Sequence, residues 1–185
     1  MEESNRAPVG EGAFAAEIEK KSGENPNLCY QCGNCTAGCV YTQFFDYPVH
    51  RIMRLIQVGQ REAVLGSKAI WLCASCETCT TRCPCEIDVA HIMDVLRSMA
   101  GKEKKCAEKD VSTFYDSFLG SLKRHGRIFE LGILMRYNLL SRHLLADADL
   151  GPKVLSKGLI RFLPKGIKGK GEVERIFAKF AGKRR

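Results

Sequence analysis

The chain has 185 residues, of which 45% are hydrophobic, and these values suit one modest globular domain or a domain with extensions. No apolar run approaches the roughly 18 residues that a membrane span needs, so no span is expected. The first residues are acidic and lack an apolar core. This start predicts no secretory signal and a cytoplasmic location.

The formal charge of +8 is unevenly distributed along the chain. Residues 1–150 hold 18 lysines and arginines against 19 aspartates and glutamates. Residues 151–185 hold 11 basic residues and only 2 acidic ones. The basicity therefore belongs to a tail and not to the main domain.

Helical periodicity dominates the segments that we expect to be ordered. An amphipathic segment runs from Phe14 to Lys21, and Asp88 is suitably placed to be the N-cap of a later helix. Arg61 to Leu65 predicts a short helix that Gly66 ends. Apolar residues at helical spacing predict further helices: Val49, Ile52, Met53 and Ile56; Val89, Ile92, Met93, Leu96 and Ala100; Val111, Phe114, Tyr115, Phe118 and Leu122; Ile128, Leu131, Met135 and Leu139.

We find no convincing alternating strand, so the predicted fold class is all-α. The predicted domain organisation has four parts: an N-terminal lead, a cysteine-rich domain, a helical extension and a basic tail. Their bounds are 1–28, 29–100, 101–150 and 151–185, respectively.

Ten cysteines are more than a chain in a reducing compartment would carry without a metal role. Eight of them form two runs with the same Cys-x2-Cys-x2-Cys-x3-Cys spacing. The runs are Cys29, Cys32, Cys35 and Cys39, and Cys73, Cys76, Cys79 and Cys83. The second run continues with Pro84, as in the bacterial two-cluster pattern, whereas Val40 follows the first.

A [4Fe–4S] cluster takes four thiolates, and three of them can come from one tight run. In the bacterial two-cluster pattern, the fourth cysteine of each run binds the other cluster. The sequence therefore predicts two [4Fe–4S] clusters with crossed ligands. Cluster 1 is assigned Cys29, Cys32, Cys35 and Cys83, and cluster 2 is assigned Cys73, Cys76, Cys79 and Cys39.

Structural zinc is the alternative, but three cysteines in each tight run suit it poorly, because zinc sites favour pairs closed by four ligands. Cys85 and Cys106 are interpreted as cysteines that bind no cluster. No nucleotide-binding glycine loop and no credible nucleophile–base pair is present. We therefore expect electron transfer, with no catalytic residues in this chain.

The segments Leu28 to Cys39 and Ile70 to Pro84 resemble the C subunit of heterodisulfide reductase. The long helical stretch between the runs also favours an α-helical ferredoxin with a helical C-terminal extension over a compact β-rich ferredoxin. The resemblance implies two [4Fe–4S] clusters on the eight matching cysteines. It further implies a non-catalytic relay subunit of this oxidoreductase, placed between a flavin-containing A subunit and a disulfide-reducing B subunit.

Two other functions stay open at this stage. The chain is alternatively an iron–sulfur subunit of another oxidoreductase, linked to a quinone or an organic acid. The second is an iron–sulfur redox sensor, which we favour less because the sequence has no helix-turn-helix signature. We expect no nucleic-acid partner. The basic tail, with Val173, Ile176, Phe177 and Phe180 at helical spacing, is predicted to dock on a partner subunit. A solvated end, or contact with a membrane surface or nucleic acid, are its other interpretations.

Overall fold

The computed structural model describes residues 12–142 and 163–181, and within these ranges it contains helices, turns and irregular segments but no strand. The predicted all-α fold is therefore confirmed. Contacts divide the chain into two units, Met1–Glu108 and Lys109–Arg185. The four-part division at residues 28, 100 and 150 stays a prediction.

The first unit contains seven α-helices among its described residues, and several of them are only one turn long. Two 3-10 turns, Pro26–Leu28 and Thr42–Phe44, lie between them. The helices are α1 (Ala13–Ser22), α2 (Asn34–Ala37), α3 (Val49–Gln57), α4 (Arg61–Leu65), α5 (Ala69–Leu72), α6 (Thr78–Thr81) and α7 (Val89–Lys102).

The core of this unit forms where α1 packs against both α3 and α7. The predicted apolar stripes of α3 and α7 are buried, and Phe14 and Ile18 of α1 complete the core from a third side. Removing these side chains from water is the main stabilising contribution, at roughly 25 cal/mol per Å² of apolar surface. The helices thus provide a rigid frame for the cysteine loops between them.

Arg61, at the start of α4, connects distant parts of the same unit. Its guanidinium forms ion pairs with Glu17 of α1 and with Glu103, which follows α7. It also lies over the ring of Phe14, 5.3 Å from the centroid. The predicted helix Arg61–Leu65 and its end at Gly66 are confirmed.

The second unit contains α8 (Lys109–His125), α9 (Glu130–Ser141) and α10 (Lys170–Ala181) in its described parts. Helix α8 packs against both others, and the rings of Phe114 and Tyr137 meet edge to face at 6.1 Å. Gly126, with φ of 71°, follows the last residue of α8 and adopts the left-handed conformation that commonly ends a helix.

The apolar face predicted for α9 is wrong, although the helix itself is present. Met135 and Leu139 are 65% and 69% exposed, and the buried side chain of this helix is Ile133. Because apolar residues occur nearly all around α9, their spacing did not identify the buried side. In the tail, Val173, Ile176 and Phe177 lie on α10, whereas the side chain of Phe180 lies outside the described part of the structure.

Candidate iron–sulfur site

The two cysteine runs share an unusual backbone conformation. Within the first run, Gln31 and Gly33 have φ of 65° and 81°. Their counterparts in the second run, Ser75 and Glu77, have φ of 50° and 61°. This left-handed backbone makes each run turn tightly, and α2 or α6 then carries the third cysteine. The internal repeat seen in the sequence is thus a repeat of conformation.

A threonine in each run connects the loop to the long helix that follows it. Thr36 Oγ1 accepts a hydrogen bond from the backbone N–H of His50 at 3.1 Å, and it also meets His50 Nδ1 at 2.8 Å. Thr80 Oγ1 accepts from the N–H of Ala90 at 3.1 Å. Both threonines therefore satisfy N–H groups at the start of α3 and α7.

Asp88 is the N-cap of α7, as predicted, and its carboxylate accepts from the N–H of His91 at 2.9 Å. Thr80 Oγ1 donates to the same carboxylate oxygen at 2.9 Å. The hydrogen bond from His91 is the main reason that the pKa of Asp88 lies below its ordinary value. The second cysteine loop is therefore fixed to α7 through a helix cap.

Asp46 is a structural residue that the sequence interpretation missed. Burial opposes its ionisation, but hydrogen bonds from Ser67 Oγ and the N–H groups of Lys68 and Ala69 together lower its pKa. These donors stand at the start of α5, the helix that leads into Cys73. A residue that follows the first run thus orients the approach to the second.

Each long helix carries, as its ninth residue, a side chain that holds two backbone carbonyls at the start of the cysteine loop of the same half. Gln57 Nε2 donates to the carbonyls of Pro26 and Cys29 at 3.0 and 2.8 Å. Arg97 donates through Nε to the carbonyl of Ile70 at 2.7 Å. Its Nη2 donates to the carbonyl of Cys73 at 2.6 Å. The backbone carbonyl of the first cysteine in each run is therefore held by a hydrogen bond from the long helix that follows that run.

Cys83, the last cysteine of the second run, lies close to the thiols of the first run. Burial raises the pKa of the Cys29 thiol, and the nearby Cys83 and Cys32 add to the effect because like charges disfavour ionisation. Cys35 is buried, and this burial likewise raises its pKa. Cys32 is exposed.

Cys39, the last cysteine of the first run, lies close to the thiols of the second run. Cys39, Cys73, Cys76 and Cys79 line one cavity. Burial raises the pKa of the Cys79 thiol to about 11, and Cys73 adds to this shift. Burial also raises the pKa of Cys73, while a backbone hydrogen bond from Ser75 and the charge of Arg97 oppose it. Cys76 is exposed, and hydrogen bonding with Thr78 lowers its pKa.

Gly38 and Arg82 meet where the two runs approach each other. A Cβ on Gly38 would lie 2.6 Å from Arg82 Nη1 and 2.7 Å from its Cδ. The absence of a side chain at residue 38 thus leaves room for Arg82, next to Cys39 and Cys83.

The two remaining cysteines each donate to a backbone carbonyl. Cys85 Sγ lies 3.1 Å from the carbonyl oxygen of Leu28, and Cys106 Sγ lies 3.2 Å from that of Glu108. Cys85 therefore lies near the first run without being a member of the predicted ligand sets.

The donor set fits iron–sulfur clusters. Thiolates are the ligands of such clusters, and here eight cysteines form two groups in loops with left-handed residues, a conformation found in many Fe–S sites. Within the described ranges, no three His, Cys, Asp or Glu side chains lie close enough together to hold a single metal ion. A cubane is larger than an ion, and its thiolates bind separate corners.

Residues 28–88 match the family model described as a 4Fe-4S dicluster domain. The chain is 30% identical over 89 residues to the C subunit of the H2:CoB-CoM heterodisulfide,ferredoxin reductase of Methanothermobacter thermautotrophicus, which covers 48% of either protein. It is 39% identical over 99 residues to the C subunit of the ferredoxin:CoB-CoM heterodisulfide reductase of Methanosarcina acetivorans, covering 51% of this chain and 40% of the relative.

A third relative is the iron-sulfur C subunit of the CoB--CoM heterodisulfide reductase of Methanopyrus kandleri, 36% identical over 75 residues, or 40% of this chain and 39% of the relative. The chain thus spans about half or less of the length of these curated relatives. The predicted resemblance to the C subunit of heterodisulfide reductase is confirmed. Together with the dicluster match, it supports an iron–sulfur electron-transfer role. None of the helices in the described ranges is long and apolar enough to cross a membrane.

Proposed function

We propose that this protein is the electron-relay subunit of a heterodisulfide reductase-type complex. It carries electrons through two [4Fe–4S] clusters from a flavin-containing A subunit to a disulfide-reducing B subunit, in the cytoplasm. The observation that best supports this proposal is the cavity that Cys39 of the first run lines together with Cys73, Cys76 and Cys79 of the second. Two redox centres in one small unit suit transfer between partners better than chemistry on a substrate.

The proposed ligand sets are crossed between the runs. Cys39 shares a cavity with Cys73, Cys76 and Cys79, which supports its assignment to the second cluster. The proximity of Cys83 to Cys29 supports its assignment to the first. The remaining members of the first set are Cys32 and Cys35.

When bound, [4Fe–4S] clusters supply one-electron transfer. The chain's own contribution is to hold the thiols in place and to set their surroundings. Gln57 and Arg97 fix the carbonyls of Cys29 and Cys73, and Thr36 and Thr80 connect the loops to the long helices. A rigid frame of this kind keeps the sites unchanged as electrons enter and leave.

Exposed apolar side chains next to the first run support a place in a complex. Leu28 and Tyr30 are 57% and 64% exposed, and Val40 is 74% exposed. These residues directly neighbour Cys29 and Cys39 in the chain. Apolar side chains that face solvent beside a redox site favour docking of a partner there. The basic tail is likewise proposed to dock on a partner subunit.

Anaerobic purification of the tagged chain, with iron, acid-labile sulfide and EPR measurements, tests the cluster content. We expect about eight irons and the spectrum of two spin-coupled clusters after reduction. Cys85→Ser is the matched control, because it removes a nearby thiol outside both sets and should keep all the iron. About four irons, or zinc in place of iron, would contradict the two-cluster proposal.

Co-purification from native cells tests the relay role separately. We expect a flavoprotein and a disulfide-reducing iron–sulfur subunit to accompany the tagged chain. Flavin reduction should then lead to reduction of the clusters in this chain before the disulfide is reduced. Isolation with a quinone-linked or organic-acid-linked dehydrogenase instead would favour the other oxidoreductase function.

A further inference from the structure

Helix α3 can be aligned with the first nine residues of α7. Both begin with valine and continue with Ile-Met at the same interval, as Ile52-Met53 and Ile92-Met93. These apolar positions are buried in both helices. In this alignment, Gln57 of α3 occupies the position of Arg97 in α7.

These two residues form the same pair of contacts in their own halves. Gln57 holds the carbonyls of Pro26 and Cys29, and Arg97 holds those of Ile70 and Cys73. Pro26 and Ile70 each precede the first cysteine of a run by three residues. The geometry is therefore shared by the halves, whereas the charge differs: a neutral amide serves the first run and a guanidinium serves the second.

We propose that Arg97 sets the reduction potential of the second cluster, by placing a full positive charge at the carbonyl of its ligand Cys73. The guanidinium side chain is only 18% exposed, so water screens its charge weakly. A fixed positive charge stabilises the cluster once it has gained an electron. Gln57 provides the same support for Cys29 without this charge. The inference rests on the proposed two-cluster function.

The neighbouring charges oppose this difference, and Asp94 also accepts a hydrogen bond from Ser75 Oγ in the second cysteine loop at 2.6 Å. Asp94 pairs with Arg97 at 3.1 Å, but its side chain is 47% exposed. At the equivalent position of α3, Arg54 is exposed and donates to Gln57 Oε1 at 3.2 Å. Asp94 therefore reduces the effect of Arg97 only in part, since exposed charges are screened more strongly than half-buried ones.

The test uses the anaerobically purified full chain with both clusters, titrated at an electrode that supplies the electrons one at a time. Iron and sulfide contents first establish that two clusters are present. A protein without two clusters would contradict the proposed function, whereas unchanged potentials in a protein with both clusters would contradict only the role of Arg97. Arg97→Gln should shift one of the two reduction steps to lower potential. The expected change in that step's equilibrium constant is about tenfold, a typical size for one charge in partly buried protein. For one electron this equals about 59 mV.

Gln57→Arg is the matched variant, because it introduces the guanidinium where the amide stood. It should shift the other reduction step, and to higher potential by a similar factor. Because glutamine already makes these two hydrogen bonds in the first half, Arg97→Gln is expected to keep the loop in place. Arg97→Lys retains the charge and should retain most of the potential.

Movement of one step by Arg97→Gln and of the other by Gln57→Arg supports the proposal. It is overturned if Arg97→Gln moves neither step, moves both equally, or moves the same step as Gln57→Arg. Should Arg97→Gln lose iron, Gln57→Arg and Arg97→Lys decide the matter. Gln57→Arg must then raise the potential of one step while Arg97→Lys leaves both steps nearly in place, and an unchanged titration curve for Gln57→Arg would overturn the proposal.

Discussion

The two cysteine-bearing halves of the first unit share a backbone and differ in their electrostatics. Both runs use left-handed residues at the same two positions, and both are held by their first carbonyl. They differ at Gly33 and Glu77, which share one of those positions, and at Gln57 and Arg97, which serve the same carbonyls. The two halves thus share their loop geometry, whereas the charge beside the loop differs between them.

The halves also depend on each other. Asp46, which follows the first run, caps the helix that leads into the second. Cys39 and Cys83 each lie with the thiols of the opposite run. The repeat therefore consists of two interlocked halves, and substitutions should show where one half depends on the other.

The largest expected effect comes from Cys39→Ser. Because Cys39 shares its cavity with Cys73, Cys76 and Cys79, its loss should remove or damage the second cluster. We expect the iron content to fall from about eight to about four. Iron analysis and EPR of the anaerobic protein measure this change.

Cys83→Ser is the mirror variant and should damage the first cluster instead. Cys106→Ser is the control, since this thiol donates to the carbonyl of Glu108 outside both sets. Loss of the cluster at Cys29, Cys32 and Cys35 in the Cys39→Ser protein would show that the ligands are not crossed.

Asp46→Ala should come next, with a loss of about 1–2 kcal/mol in the free energy of unfolding, because α5 loses its cap. Anaerobic denaturant unfolding of the protein with its clusters measures this. Asp46→Asn keeps one acceptor oxygen and should lose less. A stability equal to that of the wild type in the alanine variant would show that the cap contributes nothing.

The pH dependence of this loss follows from the lowered pKa of Asp46. A carboxylate with a lowered pKa stabilises the folded protein at every pH above its unfolded value near 3.8, and the effect disappears as pH falls through the folded value. The difference between wild type and Asp46→Ala should therefore be constant from about pH 5 to pH 8. A steady decline within this window would contradict the assignment.

The smallest expected effects concern the left-handed position shared by Gly33 and Glu77. Gly33→Ala should destabilise the protein by about 1 kcal/mol, because a Cβ there meets no atom within 4 Å but the backbone disfavours any side chain. Glu77→Gly should be neutral or stabilising by less than about 1 kcal/mol. Thermal unfolding of the two variants shows whether each substitution lowers or raises the stability of the folded protein.

Gly120→Ala is the control for this pair. A Cβ at Gly120 also meets no atom within 4 Å, but the residue lies inside helix α8. Alanine there should stabilise the helix by up to about 1 kcal/mol. Destabilisation by Gly33→Ala together with stabilisation by Gly120→Ala would assign the difference to the backbone angle.

Much of this structure was predictable because it depends on local patterns. The cysteine spacing predicted the two loops, and the helical stripes on Ile52, Met53, Ile92 and Met93 predicted the buried faces of α3 and α7. The Asp88 cap was predictable for the same reason, since a cap depends on neighbours in the chain.

The contacts that join distant residues were not predictable in this way. The Asp46 cap joins residues about twenty positions apart, and Arg97 reaches back a similar distance to Cys73. Alignment of α3 with α7 on their shared Val and Ile-Met pattern would have paired Gln57 with Arg97. The buried face of α9 was missed because this helix is apolar on most sides, so the spacing that selected Met135 did not single out Ile133.

The proximity of Cys83 to Cys29 has a consequence for synthesis of the chain. In the crossed arrangement that we propose, neither set of four ligands is complete until the ribosome has reached the second run: the second set is complete at Cys79 and the first at Cys83. A nascent chain that has exposed only Cys29, Cys32, Cys35 and Cys39 offers four thiols that belong to two different sites. A full set of four ligands for either cluster therefore exists only after the second run has been translated, and release of a chain truncated before Cys83 leaves the first site unfinished.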